Sequence, residues 1–181
     1  MPEGDKSFES LALPHLEALF RVARRLTRSD HEAEDLVQDT ILRAYKAFRT
    51  FEMREFGIRP WLLRILNNVF LTWLAREKKS PRLGVSETME SALVSPTVIP
   101  VDLDLDHLDE EVKNAIDELA PEFRMVVVLW ATGEFSYQEI AGILSVPIGT
   151  VMSRLHRGRN QLAGALEEYS RRNRIAGRTE E

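Results

Sequence analysis

The sequence of 181 residues contains no cysteine, which excludes disulfides, thiolate metal sites and a thiol redox switch within the chain. It has no uninterrupted apolar stretch long enough to span a bilayer, and its first ten residues, MPEGDKSFES, lack the basic and apolar segments of a secretion signal. We therefore expect a soluble, cytoplasmic protein with no membrane insertion of its own.

An overall excess of positive charge is also missing, because 29 Asp and Glu outnumber 24 Lys and Arg and give a formal net charge of -5. Proteins that coat nucleic acid without selectivity are usually basic throughout, so the balance argues against that class but leaves local basic patches possible. The 44% of hydrophobic and 29% of charged residues are ordinary for a globular protein, so the chain is expected to fold.

Two segments with helical periodicity flank a segment without it. From Ser86 to Glu111 the chain has eight acidic residues and no Lys or Arg, and little apolar surface to offset the loss of chain entropy on folding. The sequence therefore predicts an all-α protein of two small domains. These are an N-terminal helical bundle at 8–79 and a C-terminal helical domain at 108–172, joined by a flexible acidic linker at 80–107.

The motif SDHE at Ser29–Glu32 has the form of a capping box, in which the serine and glutamate side chains each satisfy a free backbone N–H at a helix start. The residues after it recur at three- and four-residue steps, which predicts one buried helix face. That face comprises Ala33, Leu36, Val37, Thr40, Ile41, Ala44 and Phe48. An adjacent polar face with one apolar member comprises Asp35, Gln38, Asp39 and Leu42.

A second helix is predicted from Arg59 to Lys79, with Pro60 in its first turn, where the missing N–H costs nothing. Trp61 and Trp73 fit either the core or a surface on which bases stack. Polar and basic residues alternate with the aromatic ones, and those of interest are Arg64, Asn67, Asn68 and Arg76.

The stretch SYQEIAGILSVPIGTVMSRLHRGR, from Ser136 to Arg159, has the pattern of a helix-turn-helix. A capping box at Ser136–Glu139 starts the first helix, and SVPIG interrupts it through proline and a glycine that permits a tight turn. A second helix is expected to begin near Thr150. Its predicted core stripe is Val151, Leu155, Gly158 and Leu162, and its outward stripe is Thr150, Ser153, Arg154 and Arg157.

The outward stripe suits the DNA major groove, where arginine can bond guanine edges and Ser or Thr can contact bases or phosphates. From Pro147 to Arg178 the chain has seven arginines and two glutamates, a local excess that supplies phosphate affinity. The alternative is a helical hairpin whose arginines are merely solvated. The joint occurrence of capping box, turn and two-faced second helix favours DNA binding.

Three blocks resemble three segments of bacterial sigma factors of the extracytoplasmic-function (ECF) group, in the sigma-70 family. They are DLVQDTILRAYKAF, RPWLLRILNNVFLTWLAREKK and SYQEIAGILSVPIGTVMSRLHRGRNQL, in the family's order and separation. The resemblance implies a factor that binds core RNA polymerase and directs it to promoter DNA through the minus-ten and minus-thirty-five elements. It also implies an anti-sigma factor as a further partner.

The resemblance assigns a role to each candidate residue. Core polymerase binding falls to Asp35, Gln38, Asp39 and Leu42. Contacts to the minus-ten element fall to Arg64, Asn67, Asn68 and Arg76. Contacts to the minus-thirty-five element fall to Thr150, Ser153, Arg154 and Arg157, although Met152 stands where many relatives have arginine. No cofactor, metal or catalytic residue is expected.

Two other functions compete with this reading. A metal-dependent nuclease would use His31, Glu32, Asp35 and Asp39, but the capping box explains Glu32 without a metal and no matching ligand set occurs elsewhere. A stand-alone helix-turn-helix regulator explains the C-terminal domain but leaves the block from Arg59 to Lys79 unused.

Overall fold

The computed structural model describes residues 7–52, 57–77 and 110–176. The predicted linker at 80–107 lies outside these residues. Every regular element in the described part of the chain is helical, which confirms the all-α fold class. The described helices contain none long and apolar enough to cross a membrane.

The helices before residue 78 are α1 (Phe8–Ala12), α2 (Leu16–Thr27), α3 (Asp30–Ala47) and α4 (Arg59–Glu77), with 3-10 turns at Leu13–His15 and Phe48–Thr50. Those after residue 109 are α5 (Glu110–Glu118), α6 (Pro121–Ala131), α7 (Tyr137–Leu144) and α8 (Ile148–Ala176). Backbone contacts divide them into two compact units. The first unit holds α1 to α4 and the segment Gln138–Val146, and the second holds α5, α6 and α8.

In the first unit, α2, α3 and α4 pack around a core that includes Leu19, Leu62 and Phe70, each fully buried. The predicted buried face of α3 is confirmed at its centre, since Ala33, Leu36, Thr40 and Ala44 are buried. The remaining members, Val37, Ile41 and Phe48, are half-buried.

The start of α3 confirms the serine cap. Ser29 Oγ accepts a hydrogen bond from the Glu32 N–H at 3.3 Å. The second half of the box differs, because the Ser29 N–H donates to Thr27 Oγ1 at 3.4 Å. A threonine two residues upstream therefore satisfies the donor that the motif assigns to Glu32.

Helix α4 begins at Arg59 with Pro60 in its first turn, as predicted. Both of its tryptophans are half-buried and lie against phenylalanines of the same unit. The Trp61 ring centroid is 4.6 Å from that of Phe51, and Trp73 stacks on Phe70 at 5.8 Å. These ring contacts, together with the half-burial of both side chains, favour a packing role for the two indoles.

The second unit is built around α6, in which every residue from Arg124 to Ala131 is buried. Pro121 occupies its first turn, where no backbone donor is needed. Helix α8 packs against both α6 and α5. The predicted core stripe of α8 is confirmed at Val151, Leu155 and Gly158, which are buried, while Leu162 is half-buried.

The turn after α7 corrects the role predicted for glycine. Gly149 lies in the first turn of α8, which begins at Ile148, two residues before the expected start. Ser145 instead adopts the left-handed conformation, with φ 57°, and the Val146 N–H donates to the Ala141 carbonyl at 3.1 Å. A non-glycine residue thus makes the reversal, held by the hydrogen bond that caps the helix C-terminus.

Candidate functional sites

The first candidate surface is the outer face of α3. Asp35, Gln38 and Leu42 are exposed there, and Asp39 is partly exposed, so all four predicted polymerase-binding residues lie on one accessible face. Asp39 Oδ1 and Oδ2 accept hydrogen bonds from Arg43 Nε and Nη2, each at 2.9 Å. The bond to Asp39 raises the pKa of Arg43 above its ordinary value. Asp35 lies 3.8 Å from the His31 ring.

An apolar groove of about 540 Å³ adjoins this face, between α1 with its following turn and α3. Three large apolar side chains on its wall are exposed: Leu13 at 58%, Leu42 at 52% and Tyr45 at 59%. Gln38 and Leu42 line the groove and also belong to the predicted face, whereas Leu13 and Tyr45 were not predicted. Exposed apolar side chains grouped in this way are typical of a protein-binding surface.

The second candidate surface lies along α4. Asn68 and Arg76 are exposed and Asn67 is partly so. Their backbone positions, from Asn67 to Arg76, span roughly 13.5 Å along the helix axis, at about 1.5 Å per residue. Thr72 Oγ1 donates to the backbone carbonyl of Asn68 at 2.9 Å. This bond does not involve the side-chain amide of Asn68.

Arg64 differs from the other three residues of this set. It is half-buried, and its guanidinium donates from Nε to the Gly142 carbonyl at 3.1 Å and from Nη2 to the same oxygen. Both residues belong to the first unit. In this conformation two of the donors of Arg64 are occupied by protein, so the structure does not group it with the exposed Asn68 and Arg76.

The third candidate surface is the start of α8. Thr150, Ser153, Arg154 and Arg157 are all partly exposed, and none of them belongs to the buried stripe. Ser153 Oγ donates to the Thr150 carbonyl at 3.0 Å. The serine proton is therefore used within the helix, and its oxygen lone pairs are what it offers to an outside donor.

Two exposed residues on α8, His156 and Asn160, were missed by the sequence reasoning. The Asn160 side-chain nitrogen is 3.1 Å from His156 Nε2, and both residues are exposed. Asn160 lies nine positions after the buried Val151, which at roughly 100° per residue places it on the opposite side of the helix. Ser153, seven positions before Asn160, shares this face, so the predicted stripe reached it at one position. The same helical spacing, counted from the core stripe, also identifies His156 and Asn160 as outward.

Within the part of the chain that the structure describes, no group of three or more His, Asp or Glu side chains is arranged to hold a metal ion. His31, Glu32, Asp35 and Asp39 do not form such a group.

Arg124 is a buried charged residue of the second unit, with 4% of its surface exposed. Burial lowers the pKa of its guanidinium, and nearby Asp117 partly opposes that effect.

Comparison with known proteins matches both helical segments to one family. Residues 11–80 match the family model for Sigma-70 region 2, and residues 109–162 match that for Sigma-70, region 4.

Two curated relatives match over most of the chain. The ECF RNA polymerase sigma factor SigE of Mycolicibacterium smegmatis is 35% identical over 91% of this chain, which spans 63% of that protein's length. SigW of Bacillus subtilis is 31% identical, with 92% of each chain covered.

A solved structure has the same fold. It is that of the sigma factor RpoE of Bartonella quintana in complex with the anti-sigma factor NepR. The two chains superpose with a TM-score of 0.64 and 32% identity, covering 90% of this chain and 98% of that one. With both regions matched in order and an ECF relative matched along its length, the chain belongs to the sigma-70 family and, within it, to the ECF sigma factors.

Proposed function

We propose that this protein binds core RNA polymerase and directs it to initiate transcription at specific promoters. The observation that carries the proposal is the match of both segments, in order, to the two regions of one family. The three exposed surfaces on α3, α4 and α8 support it, since a sigma factor needs separate contacts for polymerase and for two promoter elements. The division into 8–79, a linker at 80–107 and 108–172 is part of the proposal.

The α3 face and its groove are proposed to bind polymerase through Asp35, Gln38, Asp39 and Leu42. An acidic and apolar surface suits a partner helix with an apolar stripe and basic flanks, because charge complementarity fixes orientation and the apolar centre supplies affinity. Leu13 and Tyr45 extend the apolar area beyond the residues that the family motif contains.

The α4 surface is proposed to capture the minus-ten element through Asn67, Asn68 and Arg76. An exposed asparagine amide has donors and an acceptor with which to read a base turned out of the stack. Arg64 would join this set only after release from the Gly142 carbonyl.

Helix α8 is proposed to read the minus-thirty-five element in the major groove. Arg154 and Arg157 are suited to guanine edges or phosphates, and Thr150 and Ser153 to nearby bases or phosphates. His156 and Asn160 are added to this set on the strength of their exposure opposite the core stripe.

An anti-sigma factor is a further proposed partner, because the RpoE relative was solved with NepR and a second relative, CnrH, with the cytosolic domain of CnrY. CnrH is 26% identical to this chain, with a TM-score of 0.61. We further propose a cytoplasmic regulator of a stress or envelope response that has no catalytic activity and uses no cofactor.

The deciding experiment adds purified core polymerase to the chain and sequences the transcripts made from genomic DNA. Defined start sites that share two upstream elements, and that require both components, are the expected result. A stand-alone helix-turn-helix regulator would instead protect a palindromic site without polymerase, and that outcome would overturn the proposal.

A further inference from the structure

Helix α8 approaches α6 so closely at Gly158 that a larger residue would not fit without movement. A Cβ atom added to Gly158 would lie 2.8 Å from Val127 Cγ2 and 3.5 Å from Phe123 Cβ. Val127 is itself buried, so it has little room to give way. The absence of a side chain at Gly158 therefore sets how near the two helix axes come.

The next residue along α8 makes a second contact with α6. The guanidinium carbon of Arg159 lies 5.1 Å from the centroid of the Trp130 ring, within the range of a cation–π interaction. Trp130 is buried and follows Val127 by three positions, so the two contacts lie about one turn apart on α6. Together they fix both the separation of α8 from α6 and its position along it.

From this geometry we propose that Gly158 and Arg159 are positioning residues for the DNA-reading surface of α8, and that Arg159 is not a DNA ligand. The inference rests on the proposed function of α8. The reading residues Thr150 to Arg157 immediately precede these contacts in one continuous helix. Any displacement at Gly158 is transmitted to them, because a helix moves as a rigid element over so short a length.

Gly158→Ala tests the close approach of Gly158 to Val127, and the quantity measured is selectivity for the minus-thirty-five element. Holoenzyme made with each variant transcribes two templates, one with the intact minus-thirty-five element and one with that element scrambled. We expect Gly158→Ala to lower the intact-to-scrambled ratio at least fivefold while core polymerase binding stays within twofold of wild type. Val127→Ala removes the opposing methyl groups, so the double variant should recover most of the ratio.

The double variant keeps the test decisive even if Gly158→Ala unfolds. Wild-type selectivity in Gly158→Ala, or a double variant that folds and remains unselective, would overturn the positioning role. If the wild-type holoenzyme itself did not distinguish the templates, the proposed function of α8 would fail instead.

Arg159→Gln tests the second contact through the salt dependence of promoter binding. A side chain that neutralises a phosphate contributes about one unit to the slope of log affinity against log salt concentration. We expect Arg159→Gln to lower selectivity while leaving the slope at its wild-type value. Trp130→Leu should lower selectivity to the same degree. The double variant should lose no more selectivity than either single variant, because both changes remove the same contact. A slope reduced by about one unit in Arg159→Gln would make this residue a phosphate ligand and overturn the assignment.

Discussion

Asp39 is held by Arg43 on the same helix face through two parallel hydrogen bonds, from Nε and Nη2, each 2.9 Å long. The carboxylate that the sequence assigns to polymerase binding is therefore already partly neutralised by its own helix. We expect Arg43→Ala to strengthen binding to core polymerase, because Asp39 is then free for a basic partner, whereas Asp39→Asn should weaken it. Fluorescence anisotropy of the labelled chain titrated with core polymerase measures both.

The cost of Arg43→Ala in free energy of unfolding should be about 0.5 kcal/mol or less, as for exposed pairs four residues apart on a helix. If Arg43→Ala weakened core binding as much as Asp39→Asn, the pair would act as one recognition unit.

Leu42→Ser should weaken core binding about tenfold or more while leaving the free energy of unfolding within about 0.5 kcal/mol, because its side chain is 52% exposed. The matched control is Leu71→Ser on α4, at 37% exposure and away from the groove. Loss of binding in the control to the same degree would point to a general effect of reducing apolar surface.

Asn68→Ala should lower selectivity for the minus-ten sequence with little effect on stability, because the residue is exposed. Asn68 could act in base reading or in melting. Transcription is therefore compared between a duplex promoter and the same promoter already melted over the minus-ten element. A selectivity loss that persists on the melted template assigns Asn68 to base reading, and one that disappears assigns it to melting.

Arg154→Ala should cost roughly 1 to 3 kcal/mol in binding to the intact minus-thirty-five element and relax the preference at one base pair. His156→Ala should do the same at a different base pair, because His156 lies on another side of α8. Footprinting with single-base variants of the element measures both. An equal loss on every sequence would assign the residue to a phosphate.

The pH dependence of stability should carry a contribution from His15. Burial, and then the positive charge of Arg59, lowers its pKa below the ordinary value. The unfolded chain therefore takes up the proton first as the pH falls, so stability is full above the ordinary pKa of about 6.5 and is lost below it. Urea unfolding at pH 7.5 and 5.5 should show a smaller difference in His15→Gln than in wild type. His31→Gln, at an exposed position, should retain the difference.

Much of the fold follows from local signals in the sequence. Ser29 and Pro60 mark helix starts because their effects depend on the nearest backbone groups, and the three- and four-residue spacing identifies the buried faces of α3 and α8. The left-handed Ser145 was missed because serine has no special preference for that conformation, and the reversal depends on a hydrogen bond that forms only in the folded turn.

The candidate surfaces were predicted less completely than the helices. Asp35 and Asn68 are visible in the sequence because they belong to motifs. Leu13 and Tyr45 come from segments more than 30 positions apart, and nothing in either segment alone shows that they line one groove. The occupied guanidinium of Arg64 likewise depends on a carbonyl 78 residues away in sequence.

The burial of α6 on every side from Arg124 to Ala131 has a consequence for the energy that holds the DNA-reading surface in place. Backbone amides in a segment without a solvent face exchange their hydrogens only when the packing around them opens, so the amides of Val126 to Leu129 should be protected by the full free energy of unfolding of the second unit. Since Gly158 and Arg159 are held on that helix, α8 should keep its position for as long as α6 stays packed. Hydrogen exchange at α6 would therefore report the free energy needed to release the reader from its support.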